Sequence, residues 1–166
     1  MTRHKRILIY GYGNPGRQDD GLGAAFIEKL EAWLKIHPVA GVNLDCNYQL
    51  NIEDAELIAH KDLVIFVDAS QEDIKHFSLT QVDPSDARVE FTMHAVSPAF
   101  VVDLCKKMYH RAPETYLLHI KGHEWDFVEK LSDKAQHNLE LAFSFFIKRL
   151  AEMISIEDAV SQRTDH

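Results

Sequence analysis

The sequence predicts an α/β protein, a three-layer α/β/α sandwich around a mostly parallel twisted sheet of about five strands. Short apolar segments rich in β-branched and aromatic residues alternate with longer segments in which apolar residues recur every three or four positions. This alternation is typical of domains in which helices cover both faces of a parallel sheet. The 166 residues suit one such domain. We assign residues 1–154 to the domain and residues 155–166 to a polar C-terminal tail.

The predicted strands differ in how apolar they are. Residues 63–67 are apolar on both faces, so we expect this strand at the centre of the sheet, and residues 7–10 form a similar buried strand. Residues 76–82 alternate between apolar and polar, which indicates an exposed strand at an edge. The other two strands are predicted at 42–48 and 115–120.

Helices are predicted between these strands, and polar residues mark where they begin. One long helix follows the first loop. We expect Asn51 to cap a short helix over 53–60 and Ser132 to cap the last helix. Ser97 followed by Pro98 is a strong start signal for the helix before the fifth strand, because proline is favoured at the first helical position.

The composition excludes several classes of function. The net charge is −8, from 26 acidic and 18 basic residues, which disfavours a nucleic-acid or anionic-membrane surface. Cys46 and Cys105 have no metal-ribbon or redox spacing, so we interpret them as free thiols. No signal peptide and no apolar run of about 18 residues is found. We therefore expect a cytoplasmic protein that is a monomer.

The glycine-rich first loop superficially resembles a dinucleotide-binding loop over residues 11–16. Pro15 removes a backbone N–H donor, however, and Asp19 and Asp20 place two carboxylates where a phosphate would bind. We therefore expect no nucleotide cofactor. Carboxylates are favourable at a helix N-terminus, so one aspartate is expected to cap the helix, which leaves the other free for chemistry.

Three residues are predicted to meet at the carboxyl edge of the sheet: Asp20 in the first loop, Asp68 after the central strand and His94 before a helix start. Each alone has an ordinary explanation, since aspartates cap turns and loop histidines pack against the protein body. Together, two carboxylates and one imidazole suit a borderline divalent ion and leave coordination positions open.

These residues belong to ordered blocks that resemble the hydrogenase maturation proteases, from about residue 6 to about residue 150. The blocks are Gly11-Tyr12-Gly13-Asn14 with Asp19-Asp20-Gly21-Leu22-Gly23, Tyr48-Gln49-Leu50 with Glu53, Ile65-Phe66-Val67-Asp68-Ala69, His94-Ala95-Val96-Ser97-Pro98, and Tyr116-Leu117-Leu118 with Ile120, Gly122 and Leu131-Ser132. One block alone would be weak evidence, but their order and spacing make the resemblance specific.

The resemblance implies an endopeptidase that removes a C-terminal extension from the large-subunit precursor of a [NiFe] hydrogenase after nickel insertion. Asp20, Asp68 and His94 match the positions of the family's metal site, which implies that they are the metal-ligating and catalytic residues. The nickel is supplied by the precursor, so the site recognises metal already loaded into its partner. The chain has no nucleophile motif of a serine or cysteine hydrolase, which fits a metal-assisted hydrolysis.

Four further residues of the first loop are expected to contact the substrate. Gly13 and Gly21 would let the substrate tail approach the backbone closely. Asn14 is expected either to donate a hydrogen bond to the substrate peptide or to organise the loop. Asp19 is expected to accept a hydrogen bond behind the metal ligands or to act as a cap.

Three alternatives remain open. A non-catalytic assembly factor that binds nickel-loaded precursor without cutting it would have the same site. A peptidyl-tRNA hydrolase also opens with Gly-Asn-Pro-Gly, as at 13–16, but the resemblance stops there and the acidic charge disfavours tRNA. His119, His123 and Trp125 could form a second metal site, although we favour surface or interface positions for them.

Overall fold

The alternation of strands and helices follows the prediction. The computed structural model describes residues 4–87 and 96–164, with side chains to residue 154. The strands are β1 (Ile7–Tyr12), β2 (Val42–Asn47), β3 (Leu63–Ser70), β4 (Phe77–Gln81) and β5 (Glu114–Lys121). The helices are α1 (Leu22–Ile36), α2 (Asp54–Ala59), α3 (Pro98–Tyr109) and α4 (Asp133–Thr164), with 3₁₀ turns at Pro15–Gly21 and Pro84–Asp86.

The strands form one sheet in the spatial order β2-β1-β3-β5-β4. Strands β1, β2, β3 and β5 are parallel, and only β4 pairs antiparallel, with β5. The apolar strand β3 is central, as predicted, and its residues Leu63–Val67 are at most 1% exposed. The alternating strand β4 is at an edge, also as predicted. The mostly parallel five-stranded sheet is thereby confirmed.

Helices cover both faces of the sheet, which confirms the three-layer sandwich. Successive side chains of a strand point to opposite faces. Ile65 and Val67 therefore pack with α1 and α4, whereas Val64 and Phe66 pack with α2 and α3. Because Asp68 is two residues beyond Phe66, it belongs to the face covered by α2 and α3.

Two of the three predicted helix caps are confirmed. The Ser97 hydroxyl accepts from Phe100 N–H at 3.1 Å, and the Ser132 hydroxyl accepts from Ala135 N–H at 3.2 Å. The cap predicted at Asn51 is wrong. Its backbone N–H instead donates to the Asp54 carboxylate at 2.8 Å, and α2 begins without a side-chain cap.

The last helix is longer than the sequence indicated. We predicted a polar tail from residue 155, but the backbone of α4 continues to Thr164, over a stretch without glycine or proline. The division between residues 1–154 and 155–166 stays a prediction. No helix in the described ranges has the length and apolar content needed to cross a bilayer.

Gly23 lets α1 begin directly over the carboxyl ends of β1 and β3. A Cβ atom at this position would lie 2.6 Å from the Tyr12 carbonyl oxygen and 2.8 Å from both the Tyr12 nitrogen and the Val67 carbonyl oxygen. All three atoms are backbone and cannot rotate away. This close approach brings the loop that precedes α1 next to the end of β3.

We expect Gly23→Ala to lower the free energy of unfolding by about 2–4 kcal/mol, because the added methyl group forces backbone atoms apart. Urea unfolding measures the change. Gly16→Ala is the matched control, since its Cβ would meet only the Asn14 side chain, at 3.1 Å. Equal stability of the two variants would contradict the close-packing argument.

Candidate functional site

The site predicted from the sequence lies where β1 and β3 end side by side. The two strands are parallel, and Gly11 of β1 pairs in register with Val67 of β3. Tyr12 ends β1, Asp68 follows Val67 on β3, and the loop that contains Asp20 connects β1 to α1. This is the edge at which open parallel sheets bind their ligands.

The loop between β1 and α1 holds Asp20 in place through its own backbone. The Asn14 side-chain oxygen accepts from Gly16 N–H at 2.9 Å and caps the 3₁₀ turn. The Asn14 backbone N–H donates to Asp20 Oδ2 at 2.7 Å. Asn14 is thus an organiser of the loop, which is one of its two predicted roles, and its contact with substrate stays a prediction.

The two loop glycines face atoms of their own chain. Gly13 has a φ of +132°, and its Cβ would lie 2.2 Å from the Asp20 carbonyl oxygen. A side chain at Gly21 would meet Pro15 Cα at 3.0 Å. Gly13 is therefore needed for the loop to close over Asp20, whereas a side chain at Gly21 would require Pro15 to shift slightly, and the substrate contacts predicted for both glycines stay predictions.

Asp20 lies close enough to Asp68 for its negative charge to affect the protonation of Asp68. Burial, and to a lesser extent the negative charge of Asp20, raise the pKa of Asp68 to about 7, although hydrogen bonds from Tyr12 and the Ala69 backbone act in the opposite direction. Two neighbouring carboxylates in a partly dry site repel each other. A divalent cation between them would remove that repulsion and displace the proton of Asp68, so their chemistry fits a cation site.

Tyr12 is a member of this site that the sequence reasoning did not single out. Burial raises its pKa well above the usual value, and the charge of Asp68 and a hydrogen bond to it act in the same direction. Tyr12 therefore stays protonated and can donate its hydroxyl hydrogen to Asp68. The sequence signal that could have identified Tyr12 is its position two residues beyond Tyr10, which places both tyrosines on the same face of the sheet as Phe66.

The third predicted ligand, His94, lies outside the described residues. Ser97 and α3 follow it, and α3 packs on the same face of the sheet as Asp68. Within residues 4–87 and 96–154, no three histidine, cysteine, aspartate or glutamate side chains are grouped so as to hold a metal ion. The structure thus brings together Asp20 and Asp68, two of the three predicted residues.

Asp19 is a hydrogen-bond acceptor, which is one of its predicted roles, and its contact with substrate stays a prediction. Its carboxylate is 0% exposed and accepts four hydrogen bonds, from the backbone N–H groups of His123, Glu124 and Ser132 and from the Ser132 hydroxyl, at 2.7–2.8 Å. Burial raises its pKa, but these hydrogen bonds outweigh burial and leave the pKa below the usual value. Through these hydrogen bonds, Asp19 connects the first loop to the segment that leads into α4.

The histidines near β5 separate into two environments. His119 is paired in register with Asp68 and is partly buried, and burial lowers its pKa, which favours a neutral imidazole. His123 is exposed, as we had favoured, and follows β5 in the segment that binds Asp19. Trp125 packs its ring over Gly122, 2.8 Å from where a Cβ would stand.

Comparison with solved structures places this fold among known proteins. The hydrogenase maturating endopeptidase HybD from E. coli matches with a TM-score of 0.70 at 18% identity, over 89% of this chain and 93% of that one. The [NiFe] hydrogenase maturation protease HycI from Thermococcus kodakarensis matches with a TM-score of 0.66 at 24% identity, over 91% and 93%. A hydrogenase 2 maturation peptidase from the Thaumarchaeota archaeon SCGC_AB-539-E09 matches with a TM-score of 0.64 at 20% identity, over 88% of this chain and 98% of that one.

No family model matches the sequence, and no curated protein matches it either. The structural matches nevertheless cover nearly the whole of both chains. The protein is a three-layer α/β protein with paired carboxylates at the carboxyl ends of two adjacent parallel strands. Its fold is that of the hydrogenase maturation endopeptidases, which confirms, at the level of fold, the resemblance seen in the sequence.

Proposed function

We propose that this protein is an endopeptidase that removes the C-terminal extension of a nickel-loaded [NiFe]-hydrogenase large-subunit precursor. The observation that carries the proposal is the pair formed by Asp20 and Asp68 at the carboxyl edge of the sheet, in a protein with the fold of the maturation endopeptidases. Fold alone would not assign a function, but the paired carboxylates supply chemistry suited to a metal-bearing substrate.

In the proposed mechanism, Asp20, Asp68 and His94 complete the coordination of the nickel ion that the precursor carries. The ion then polarises the scissile carbonyl or activates a water molecule. Asp68 has a pKa of about 7, so at neutral pH it exchanges a proton readily when the ion approaches. The hydrogen bond from Asn14 N–H holds Asp20 ready for the ion, which lowers the cost of ordering the site on binding.

The proposal also covers the source of the metal, the partner, the oligomeric state and the cellular compartment. The nickel belongs to the substrate, no nucleotide takes part, and the partner is the precursor, on which the protein acts as a monomer. We place the reaction in the cytoplasm. Cys46 and Cys105 are free thiols, one exposed and one buried, and a reducing compartment suits them.

The first test is incubation of the purified protein with nickel-loaded and nickel-free precursor, followed by mass spectrometry of the large subunit. We expect loss of a C-terminal peptide from the nickel-loaded form only. Binding without any change of mass would favour the non-catalytic assembly factor. Equal cleavage of the nickel-free form would contradict the role of the metal in recognition.

A further inference from the structure

His119 lies beside Asp68 on the neighbouring strand, and the endopeptidase mechanism above does not use it. Asp68 of β3 pairs in register with His119 of β5, and His119 in turn pairs with Ser78 of the antiparallel edge strand β4. Residues that are paired across neighbouring strands point to the same face of a sheet. The side chains of Asp68, His119 and Ser78 therefore form one line across the sheet, which we call the polar row.

The polar row ends a face of the sheet that is otherwise apolar. Two residues before it, Phe66 of β3 pairs with Leu117 of β5, and both belong to the apolar cluster under α2 and α3. At the row itself the same face carries Asp68 and His119, and each member of the row is half-buried. The polar row thus continues the candidate site from Asp68 towards the edge of the sheet at β4.

The imidazole of His119 has hydrogen-bonding groups that the protein itself leaves free. Within residues 4–87 and 96–154, no side-chain or backbone group forms a hydrogen bond with either of its ring nitrogens. In the same part of the chain, no fully buried side-chain nitrogen or oxygen lacks a hydrogen-bond partner. The ring nitrogens of His119 are therefore open to solvent, and a molecule bound next to Asp68 can reach them.

Glu72 offers a competing explanation for a polar residue at this position. It lies in the exposed loop after β3, and its negative charge acts on the His119 ring. In the described part of the chain, however, its carboxylate makes no hydrogen bond to that ring. An exposed charge pair of this kind contributes little to stability, so pairing with Glu72 is a weak reason for the histidine.

The dimensions and the chemistry of the polar row match an extended peptide. Neighbouring strands are about 4.8 Å apart, so the row is about 10 Å long, which is the length of about three residues of extended chain. A peptide group offers a carbonyl acceptor and an N–H donor, and a neutral imidazole offers one donor and one acceptor. A histidine keeps at least one ring N–H in either charge state, so donation to a carbonyl oxygen does not depend on its protonation.

We propose that His119 binds the substrate of the endopeptidase by donating a ring N–H hydrogen bond to a backbone carbonyl oxygen of the precursor, one or two residues from the scissile bond. The strand spacing sets this position, because a peptide cut beside Asp68 would continue over β5 in its extended form. His119 is thus a specificity-determining residue that favours an extended cleavage segment. The inference rests on the proposed function, which puts Asp68 at the scissile bond.

The test is the kinetics of processing of nickel-loaded precursor by the full chain. His119→Leu removes both ring nitrogens and should raise KM about tenfold while kcat changes less than about twofold, as expected for one lost hydrogen bond to bound substrate. His119→Asn and His119→Gln carry an amide N–H near the positions of Nδ1 and Nε2, respectively. At least one of them should bring KM back to within about threefold of the wild-type value, and that variant identifies the donating nitrogen.

Two control variants separate substrate binding from a structural role. His60→Leu removes an exposed histidine at the end of α2 and should leave KM unchanged. Glu72→Gln should also leave KM unchanged, whereas a histidine that serves only to pair with Glu72 would give the same effect in both variants. Urea unfolding of His119→Leu should keep the wild-type midpoint, because the ring makes no hydrogen bond within the described residues that the substitution could remove.

Chemical footprinting of the wild-type chain needs no substitution, so a variant that fails to fold does not end the test. Diethyl pyrocarbonate modifies accessible imidazoles, and mass spectrometry locates them. Saturating nickel-loaded precursor should protect His119 and leave His60 reactive. An unchanged KM for His119→Leu, failure of both amide variants to restore KM, an equal effect of Glu72→Gln, or an unprotected His119 would overturn the inference and leave the endopeptidase proposal intact. A wild-type chain that does not process the precursor would overturn both.

Discussion

Asp68→Asn is expected to abolish precursor processing and, at the same time, to make the metal-free protein more stable at pH 8. Loss of a metal-ligating carboxylate should reduce cleavage by about a hundredfold or more, since even the partners of metal ligands contribute about 10–100-fold. The free energy of unfolding should rise because the charged, partly buried Asp68 carboxylate lies next to the negative charge of Asp20 in the folded protein. Asparagine keeps the shape and an acceptor for Tyr12 but carries no charge.

The pH dependence of this increase in unfolding free energy follows from the pKa of Asp68. That pKa is about 7 in the folded protein, against an ordinary value of 3.8, so the folded state binds the proton more tightly. Folding stability is therefore lost as the pH rises from about 4 to about 7, by something on the order of 1–4 kcal/mol. The Asp68→Asn advantage should be absent near pH 4 and complete by pH 8.

Urea unfolding at several pH values, combined with the precursor assay, measures both effects. Asp73→Asn is the control, because it removes an exposed aspartate from the loop after β3 and should alter neither quantity. Cleavage by Asp68→Asn at the wild-type rate would show that the site assignment is wrong. A loss of stability at pH 8 would show that Asp68 is not strained by its surroundings.

Asp19→Ala is expected to cause the largest loss of stability, about 3–5 kcal/mol. The substitution leaves four donors without their acceptor, namely the N–H groups of His123, Glu124 and Ser132 and the Ser132 hydroxyl. It also releases the first loop from the start of α4. Denaturant unfolding measures the loss, and amide hydrogen exchange should accelerate at His123 and Ser132.

An exposed aspartate that also caps a turn provides the comparison for Asp19. Asp83 accepts from Ser85 N–H at 2.9 Å in the 3₁₀ turn at Pro84–Asp86, and Asp83→Ala should lower the free energy of unfolding much less than Asp19→Ala. The stabilisation by Asp19 should persist above about pH 4 and fall as the carboxylate is protonated, because its pKa is lowered in the folded state. If Asp19→Ala costs no more than Asp83→Ala, the four hydrogen bonds do not anchor α4.

The elements of this fold could be predicted because their signals are local. The apolar residues of β3 identify a central strand, the alternation of β4 identifies an edge, and Ser97 with Pro98 identifies the start of α3. Asp20 and Asp68 could be predicted to meet for a related reason. Each follows a strand of the parallel sheet, and parallel strands end at a common edge.

Most of the interactions that the sequence did not predict involve residues whose partners are remote in the chain, although the wrong cap at Asn51 involves Asp54, three residues away. Asp19 was predicted to be a hydrogen-bond acceptor or a cap, but the sequence did not indicate its donors, which lie 104–113 residues away. The pairing of His76 with Asn138 spans 62 residues. Tyr12 became part of the site only because β1 and β3 are neighbours in the sheet.

The sequence by itself determined the class of fold, the central strand and the edge at which the two carboxylates meet. Periodicity and capping act within a few residues, so the sequence displays them directly. The tertiary structure alone decided that Asp19 is buried as an anchor, that the pKa of Asp68 is raised to about 7, and that His76 and His137 line one cavity. Burial, charge proximity and hydrogen bonds between remote residues exist only after the helices pack on the sheet.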